Sequence, residues 1–576
     1  MKALPFLTAT ALVLSVAVGV AQDTSPQPED TTAITERSSV RSERFMVAAA
    51  HPLATRAGFE ILQAGGSAAD AAVAVQMVLT LVEPQSSGIG GGAFALYWNA
   101  AQQSLTSWDG RETAPAAASP DYWLTQDGTP MDFFEARAGG RSVGVPGTLK
   151  LMESLHGRYG RLPWSNLFER AISLSEVGFP VTQRLAASIA ATEDLDVFPA
   201  ARAYFFHADG SPLAEGDTLQ NPELARTLRL ITAEGSAPFY SGAIALDIAA
   251  ATRTEANPGV MTPSDIAEYE VKERAPVCMG YRVWDVCGMG PPSSGALTVG
   301  QILGMLSSFD LSAMGLSTEV QHLYIEASKL AFADRGLYMA DSDFVDMPEG
   351  LLDPSYLASR AELIDPSLAM EKALPGEPPW DEAELRAPGL EAPEFGTSHF
   401  VIVDGYGDMI STTTTIESGF GSRVMVNGFL LNNELTDFSF VPEVDGQPVA
   451  NRVEPGKRPR SSMAPTIVLS DGVPVLLIGS PGGSRIIPYV AQSLISILDF
   501  GLDPQVAIDR PHITNRNGPT DIETGGGAEV IAAQLQELGH ETNIRDLNSG
   551  LHAILIGPDG LVGAADKRRE GLALGE

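Results

Sequence analysis

Cysteine is almost missing from this chain: two residues, Cys278 and Cys287, in 576. Two thiols alone make no metal site, and none of the eight histidines forms a His-x-x-x-His pair or a Cys/His cluster in the sequence, so neither a metal nor any other cofactor is expected. Positive charge is also scarce. Lys and Arg number 37 against 72 Asp and Glu, a formal net charge of −35, which argues against a general nucleic-acid binder because phosphate affinity draws on clustered Lys and Arg. Acidity on this scale favours solubility without naming a substrate. Internal repeats and heptads are absent, and one long apolar run occurs, Leu4 to Val20.

That run follows Lys2 and ends in the small residues Gly19-Val20-Ala21, the grammar of a secretory signal over residues 1–21. It is shorter than the roughly 20 apolar residues of a membrane span, and it breaks into the polar stretch Gln22 to Asp30. No cysteine lies near Ala21 to carry a lipid. The expected location is periplasmic or secreted. An oxidising compartment permits a bridge between the two cysteines. A turn centred on Gly280, however, would set Cys278 opposite a residue well before Cys287, and a disulfide needs Cα atoms within roughly 7 Å. The pairing stays open at this point.

With 44% hydrophobic residues the chain can bury a large core. Phe45 to Pro52 reads as a strand ending in a turn, and Leu53 to Ala64 as a helix closed by Gly65-Gly66. Ala68 to Leu81, capped by Ser67, reads as a helix of small residues that packs closely on a neighbour. The stretch Gly88-Ile89-Gly90-Gly91-Gly92-Ala93 formally matches a dinucleotide fingerprint, but a helix precedes it and a strand, Ala93 to Trp98, follows. That order is the reverse of what the fingerprint requires. Close backbone packing beneath an active site fits better. Helical patterns then dominate, at Leu149 to His156, Trp164 to Glu176, Thr182 to Thr192, Pro222 to Glu234 and Ser241 to Thr254, and later at Ala296 to Leu306 and Gln321 to Arg335.

From about residue 373 to 396 the chain is rich in Pro, Gly and acids, the composition of a flexible linker. Beyond it, strands crowd together at His399 to Val403, Met409 to Ile416, Gly428 to Asn432, Ala464 to Leu469 and Val473 to Ile478, followed by a helix from Ile486 to Leu498. Strands on both sides of a helical layer predict sheets sandwiched between helices, an α+β fold.

The linker ends at Gly396-Thr397. A Gly-x-Ser-x-Gly match at Gly140 to Gly144 lacks the preceding strand of a nucleophile elbow, which leaves a serine hydrolase without its signature. A threonine at a new N-terminus needs no histidine. Its hydroxyl can attack the preceding carbonyl, and the freed α-amine, with a pKa of about 7.7 to 8.0, can serve as general base. Glycine at 396 eases the backbone geometry of that attack. Downstream, Glu434 and Asp437 stand three apart, suited to grip an ammonium, and Ser461-Ser462 supplies paired hydroxyls. The loop Gly479 to Arg485 lies between a strand and a helix, where free N–H groups favour an anion and suit an oxyanion hole.

Taken together, the motifs Glu83 to Gly92, Arg111-Glu-Thr-Ala-Pro115, Pro291 to Gly295, Thr397 to Phe400, Leu430 to Glu434 and Gly479 to Arg485 resemble those of the γ-glutamyltranspeptidase family, in the family's order and over nearly the whole mature chain. The resemblance implies a four-layer αββα sandwich of the N-terminal nucleophile hydrolase type. It also implies autocleavage between Gly396 and Thr397, giving a large subunit of residues 22–396 and a small one of 397–576. Thr397 would be the nucleophile, with Thr415 bonded to it, and Gly482 and Gly483 would donate to the oxyanion. Arg111, Ser461 and Ser462 would hold the α-carboxylate of a γ-glutamyl substrate such as glutathione, while Glu417, Glu434 and Asp437 would hold its α-amine. Water or an amino-acid or peptide acceptor would then release the γ-glutamyl group.

Ser398 and Phe400 replace the family's usual Thr and Tyr, Thr436 takes a place often acidic, and Arg460 stands where an apolar residue is common. The segment Phe440 to Gly456, where many members carry a substrate-covering lid, looks shortened and has no Tyr. A more open pocket admits water, so hydrolysis is expected to be favoured over transfer. Two rival readings remain: an acylase for glutaryl-type side chains on the same fold, and a non-catalytic periplasmic γ-glutamyl-binding protein.

Overall fold

The computed structural model describes residues 31, 34–380, 386–389 and 396–576. The expected signal, 1–21, and the parts 381–385 and 390–395 of the expected linker lie outside the described residues. Among the described residues, no helix is long and apolar enough to cross a membrane.

Two seven-stranded antiparallel sheets form the centre. One runs in the order Val40–Ser42, Gly560–Ala565, His552–Gly557, Val473–Gly479, Thr466–Ser470, Trp284–Gly288, Val277–Tyr281. The other runs Leu572–Gly575, Met46–Ala49, Ser398–Val403, Met409–Thr415, Gly92–Asn99, Ser104–Gly110, Lys272–Arg274. Both sheets mix strands from before and after Thr397, so the two parts of the chain are interleaved. Ser398–Val403 pairs with Met46–Ala49 on one side and Met409–Thr415 on the other.

Because side chains alternate along a strand, each sheet contributes to two cores. Val401 and Val403 face the other sheet and pack with Ile467, Leu477 and Ile554. Phe400 and Ile402 face the opposite way, into the core under the helices Pro52–Gln63 and Ala68–Val82. The other sheet is covered by Gly295–Leu306, Thr318–Tyr338 and Ile486–Leu498. The result is the expected αββα sandwich. Ala68–Val82 is buried along its whole length, which its small side chains permit, and it starts at a capping box between Ser67 and Asp70. A cap of this kind stabilises a helix by about 1 kcal/mol.

Two local expectations are corrected. The hairpin carrying the cysteines turns at Arg282-Val283 and not at Gly280: Tyr281 pairs with Trp284, which sets Cys278 directly opposite Cys287, and the two form a disulfide. Arg282 accepts the left-handed backbone of this turn (φ 58°) while its guanidinium is anchored on Asp499 and on the carbonyls of Ser307 and Phe309. The strand expected at Gly428 to Asn432 shrinks to Phe429–Leu430. Asn432 leaves it to bridge two loops, its Nδ2 donating to Gly90 O and Gly144 O and its Oδ1 accepting from the Gly144 and Glu434 amides. A buried amide satisfied this fully is a rigid anchor for Glu434.

Candidate active site

Thr397 stands at the head of the strand Ser398–Val403, held from below by the loop that formally resembled a nucleotide fingerprint. Ser86 O accepts both the Thr397 amide at 3.1 Å and the Ile416 amide at 3.2 Å. Ser398 Oγ donates to Glu83 Oε2 at 2.6 Å and accepts from Ser87 Oγ. The loop lies so close that a Cβ on Gly91 would sit 1.9 Å from Thr415 O. Close backbone packing is therefore its role here. Thr397 Oγ1 donates to Thr415 Oγ1 at 3.2 Å, and Thr415 Oγ1 also accepts the Glu417 amide at 2.8 Å.

The backbone around this threonine is unusual. Gly396 has φ 79° and Thr397 φ 87°. A β-branched residue with positive φ is a steric outlier, of order 1–3 kcal/mol above a relaxed conformation. At Gly396 a Cβ would lie 2.2 Å from Glu417 O, so the position admits glycine alone without rearrangement.

A small cavity opens beside Thr397, lined by Arg111, Thr415, Glu417, Glu434, Asp437, Ser461, Ser462 and Gly483 together with Met463 and Ile486. The side chains expected to hold the substrate, Arg111, Glu417, Glu434, Asp437, Ser461 and Ser462, are thus brought to one place with Thr397 and Thr415. Arg111 is 1% exposed. Its Nη1 donates to Glu434 and its Nη2 to Asp437, while Nε and Nη2 also reach the carbonyls of Pro459 and Arg460 at 3.2 Å. Burial disfavours the Arg111 charge, but Glu434, Asp437 and Glu112 more than offset it and raise the pKa. The same burial drives the Glu434 carboxyl well above its ordinary range and raises Asp437, with Arg111 opposing. Glu417 accepts from Ser418 Oγ at 2.5 Å and from Asn433 Nδ2.

The serine pair is built by three distant segments. Ser294 donates through both its amide and its hydroxyl to Ser461 O at 2.8 Å, and Ser461 Oγ accepts the Met463 amide at 3.1 Å. Ser462 Oγ accepts from Arg335 Nη2 at 2.6 Å. Across the cavity, Gly482 and Gly483 turn the chain from Val473–Gly479 toward Ile486–Leu498, and Arg485 pins that turn on Asp521 at 2.7 Å. Neither glycine amide donates to an acceptor among the described residues. Undirected N–H groups of this kind can receive a developing oxyanion, and Gly483 lines the cavity together with Thr397.

Sequence reasoning missed several participants. Glu112, adjacent to Arg111 in the same motif, is fully buried, and its carboxyl is pushed up to about 7 by desolvation against the pull of Arg111. Adjacency in a motif was the available signal. Asn433, beside Glu434 in its motif, carried the same signal, whereas Arg335 had none, since its partners Ser294 and Ser462 lie on other segments. Thr436 and Arg460 line no part of the cavity, nor does any residue of 440–456, which form a small hairpin of Glu443–Val444 with Gln447–Pro448. A His/Glu cluster absent from the linear pattern does form at His322, Glu326 and His540. Its groups are engaged with one another and with a lysine: His322 Nδ1 meets His540 Nε2 at 2.7 Å, and Lys329 Nζ lies 2.9 Å from Glu326. An ammonium already balances the carboxylate there.

Comparison with known proteins agrees with this geometry. The family model described as Gamma-glutamyltranspeptidase matches residues 54–576. The glutathione hydrolase proenzyme of Bacillus subtilis (strain 168) is 38% identical over 543 residues, covering 92% of this chain and 91% of that protein. The glutathione hydrolase proenzyme of Escherichia coli (strain K12) is 37% identical over 545 residues, with 92% and 91% covered. Among solved structures, the cephalosporin acylase from Bacillus halodurans superposes with a TM-score of 0.82 at 28% identity, covering 94% of this chain and 97% of that one. The chain belongs to the gamma-glutamyltranspeptidase family of enzymes.

Proposed function

We propose that this protein is an exported γ-glutamyl hydrolase/transferase that cleaves glutathione and other γ-glutamyl amides through an ester on Thr397. The observation that carries this reading is the single cavity in which the Thr397 hydroxyl faces one arginine, a serine pair and three carboxylates. A zwitterionic amino-acid head needs cationic and hydroxyl donors on one side and carboxylates on the other.

Maturation comes first. Thr397 Oγ attacks the Gly396 carbonyl, the acyl group passes from nitrogen to oxygen, and water hydrolyses the ester, leaving a Gly396 carboxylate and a free Thr397 amine. The positive φ values at Gly396 and Thr397 support this step, because breaking the peptide bond releases the strain. The products are a large subunit of residues 22–396 and a small subunit of 397–576, interleaved in both sheets. Export is supported by the signal grammar of residues 1–21.

In turnover the Thr397 amine takes the proton of its own hydroxyl, and Oγ attacks the γ-carbonyl. The Gly482 and Gly483 amides receive the oxyanion. The proton then moves to the leaving amine, and the γ-glutamyl ester remains. Water, or an acceptor amine, attacks the ester by the reverse route. The cavity carries no covering segment from residues 440–456, which supports water as the favoured acceptor.

Mass spectrometry of the incubated protein and release of p-nitroaniline from γ-glutamyl-p-nitroanilide test the reading together. A chain that stays single, or a Thr397→Ala variant that keeps full activity, overturns it. A glutaryl acylase is the second reading, favoured by the likeness to a cephalosporin acylase. Against it stand Glu434 and Asp437, each of which keeps one buried carboxyl oxygen without a hydrogen bond among the described residues, a place that an α-amine would fill and a glutaryl group would not. Faster turnover of glutaryl-p-nitroanilide than of the γ-glutamyl compound would select it.

A further inference from the structure

Between the helices Thr318–Tyr338 and Ile486–Leu498 the surface opens into a second pocket, which shares no lining residue with the cavity at Thr397. Its wall is apolar, made by Leu316, Val320, Tyr324, Ile495, Phe500 and Ile513. Most of these are buried, while Leu316, 51% exposed, stands at the mouth. An apolar hollow with a few polar groups is the usual form of a small-molecule site, and the polar groups select the ligand.

Most polar groups around this pocket are already occupied. Gln492 donates to Pro511 O at 2.9 Å and accepts the Ile513 amide at 3.0 Å. Ser317 Oγ accepts the Val320 amide at 3.3 Å as a helix cap, and the Tyr324 hydroxyl donates to Pro488 O at 2.8 Å. Arg510 and Gln321 remain.

The Arg510 guanidinium offers five N–H donors. Among the described residues it makes a single side-chain hydrogen bond, Nη1 to Ser496 Oγ at 2.6 Å, and no carboxylate lies within ion-pair distance. Ser496 is neutral and passes its own proton to Gln492 O. Other buried guanidiniums are matched, Arg485 by Asp521 and Arg568 by Glu523 and Asp566. Burial pulls the Arg510 pKa down with no acidic group opposing it. The chain has 72 Asp and Glu to 37 Lys and Arg, yet it sets none of these acids against this cation. A partly buried charge without a counter-ion is unfavourable, and an anionic ligand would supply the missing partner.

Gln321 narrows the chemistry. Its Oε1 is buried and accepts no hydrogen bond among the described residues. An unsatisfied buried acceptor favours a ligand that brings an N–H. A free ammonium would set a second positive charge near Arg510, whereas an amide N–H is neutral. A guanidinium, an amide acceptor and an apolar wall together describe a carboxylate with a neighbouring amide N–H and an apolar side chain.

We propose that this pocket is a binding site for N-acylated apolar amino acids, with Arg510 taking the carboxylate, Gln321 the amide N–H and the wall between the two helices the side chain. The site is separate from Thr397, and the inference does not depend on the reaction there.

Ligand-observed NMR titrations of the intact protein at ~0.15 M salt, where exposed charges more than about 8 Å apart are screened, test it. The wild type is expected to bind N-acetylleucine with a Kd of order 1 mM. N-acetylleucinamide, which lacks the charge, should bind at least ~10-fold more weakly. 4-Methylpentanoate, which keeps the carboxylate and side chain without the N–H, should fall between them. Arg510→Gln should weaken N-acetylleucine at least ~10-fold, and Gln321→Leu should erase its advantage over 4-methylpentanoate. Leu316→Glu changes an exposed position and sets a carboxylate at the mouth, so it should weaken N-acetylleucine about threefold or more. A peptide with an apolar last residue presents the same groups. Glycylglycylleucine binding as tightly as N-acetylleucine assigns the site to peptide ends, weaker binding assigns it to N-acyl amino acids, and both results uphold it. A wild type that binds the acid no better than the amide overturns the proposal. So does an N-acetylleucine affinity unchanged in Arg510→Gln or, where that chain does not fold, unchanged in Leu316→Glu, because a carboxylate captured at Arg111 would be untouched by either variant.

Discussion

The Thr397 hydroxyl donates to Thr415 Oγ1 at 3.2 Å, and that oxygen at the same time accepts the Glu417 amide at 2.8 Å. Thr415 is thus a fixed acceptor that holds the Thr397 hydroxyl in one rotamer. Removing it should leave Thr397, the proposed nucleophile, in place but free to rotate. Thr415→Val is expected to slow both maturation and turnover roughly 10-fold to 100-fold with little loss of stability. Gel analysis of cleavage over time and single-turnover release of p-nitroaniline would measure the two steps.

Gly396 offers a separate test of the strained junction. An added Cβ would meet Glu417 O at 2.2 Å, and the residue sits at φ 79°. Gly396→Ala costs about 1–2 kcal/mol from the left-handed backbone alone, before the clash. The Gly396 carbonyl, at the proposed cleavage site, would have to shift away from Thr397 Oγ. We expect accumulation of the uncleaved chain, with cleavage slowed at least ~10-fold. Cleavage at the wild-type rate would show that this geometry is irrelevant to maturation.

Glu112 predicts a pH dependence. Its folded pKa, about 7, is above its unfolded value because burial opposes ionisation. The folded state therefore binds more protons than the unfolded one between about 4.5 and 7. The contribution is fully present below the lower value and is lost as pH rises through the upper one. Glu112→Gln removes this group while keeping its shape. Thermal melts across pH 4 to about 8 should show the wild type losing stability relative to the variant as pH rises through that window, and a constant difference would refute the assignment.

The disulfide closes a hairpin at the edge of a sheet, with a sequence separation of 9, and neither cysteine lines the cavity. For a loop this short, loss of the bridge is expected to cost about 2–3 kcal/mol. Urea unfolding of Cys278→Ser/Cys287→Ser should give a lower midpoint, while kcat/KM toward γ-glutamyl-p-nitroanilide stays within about twofold. A large loss of activity at unchanged stability would contradict the separation of the hairpin from the site.

Much of the layered architecture was legible because it follows periodicity. Ile486–Leu498 and Pro222–Glu234 begin and end where their patterns do, since each is bounded by a local signal: a glycine turn before the first, and Asn221 as N-cap with Gly235 beyond the second. Phe429–Leu430 was shorter than its apolar pattern because Asn432 satisfies its polar side chain on Gly90 and Gly144, contacts that no local window contains. The hairpin turn failed for a related reason. Glycine at 280 is the residue a turn would choose, yet the anchoring of Arg282 on Asp499 and on carbonyls of another segment decided the register.

By itself the sequence determined which residues the structure gathers around Thr397, because short motifs carry residue type and local order. Only the tertiary structure decided how those groups are charged and aimed. Arg111 is committed to Glu434 and Asp437, Glu112 is pressed against them, and Arg335 reaches Ser462 from a helix 127 residues away. Protonation and hydroxyl direction depend on burial and on every neighbour at once, and the chain gathers those neighbours only when both sheets close around the Gly396-Thr397 junction.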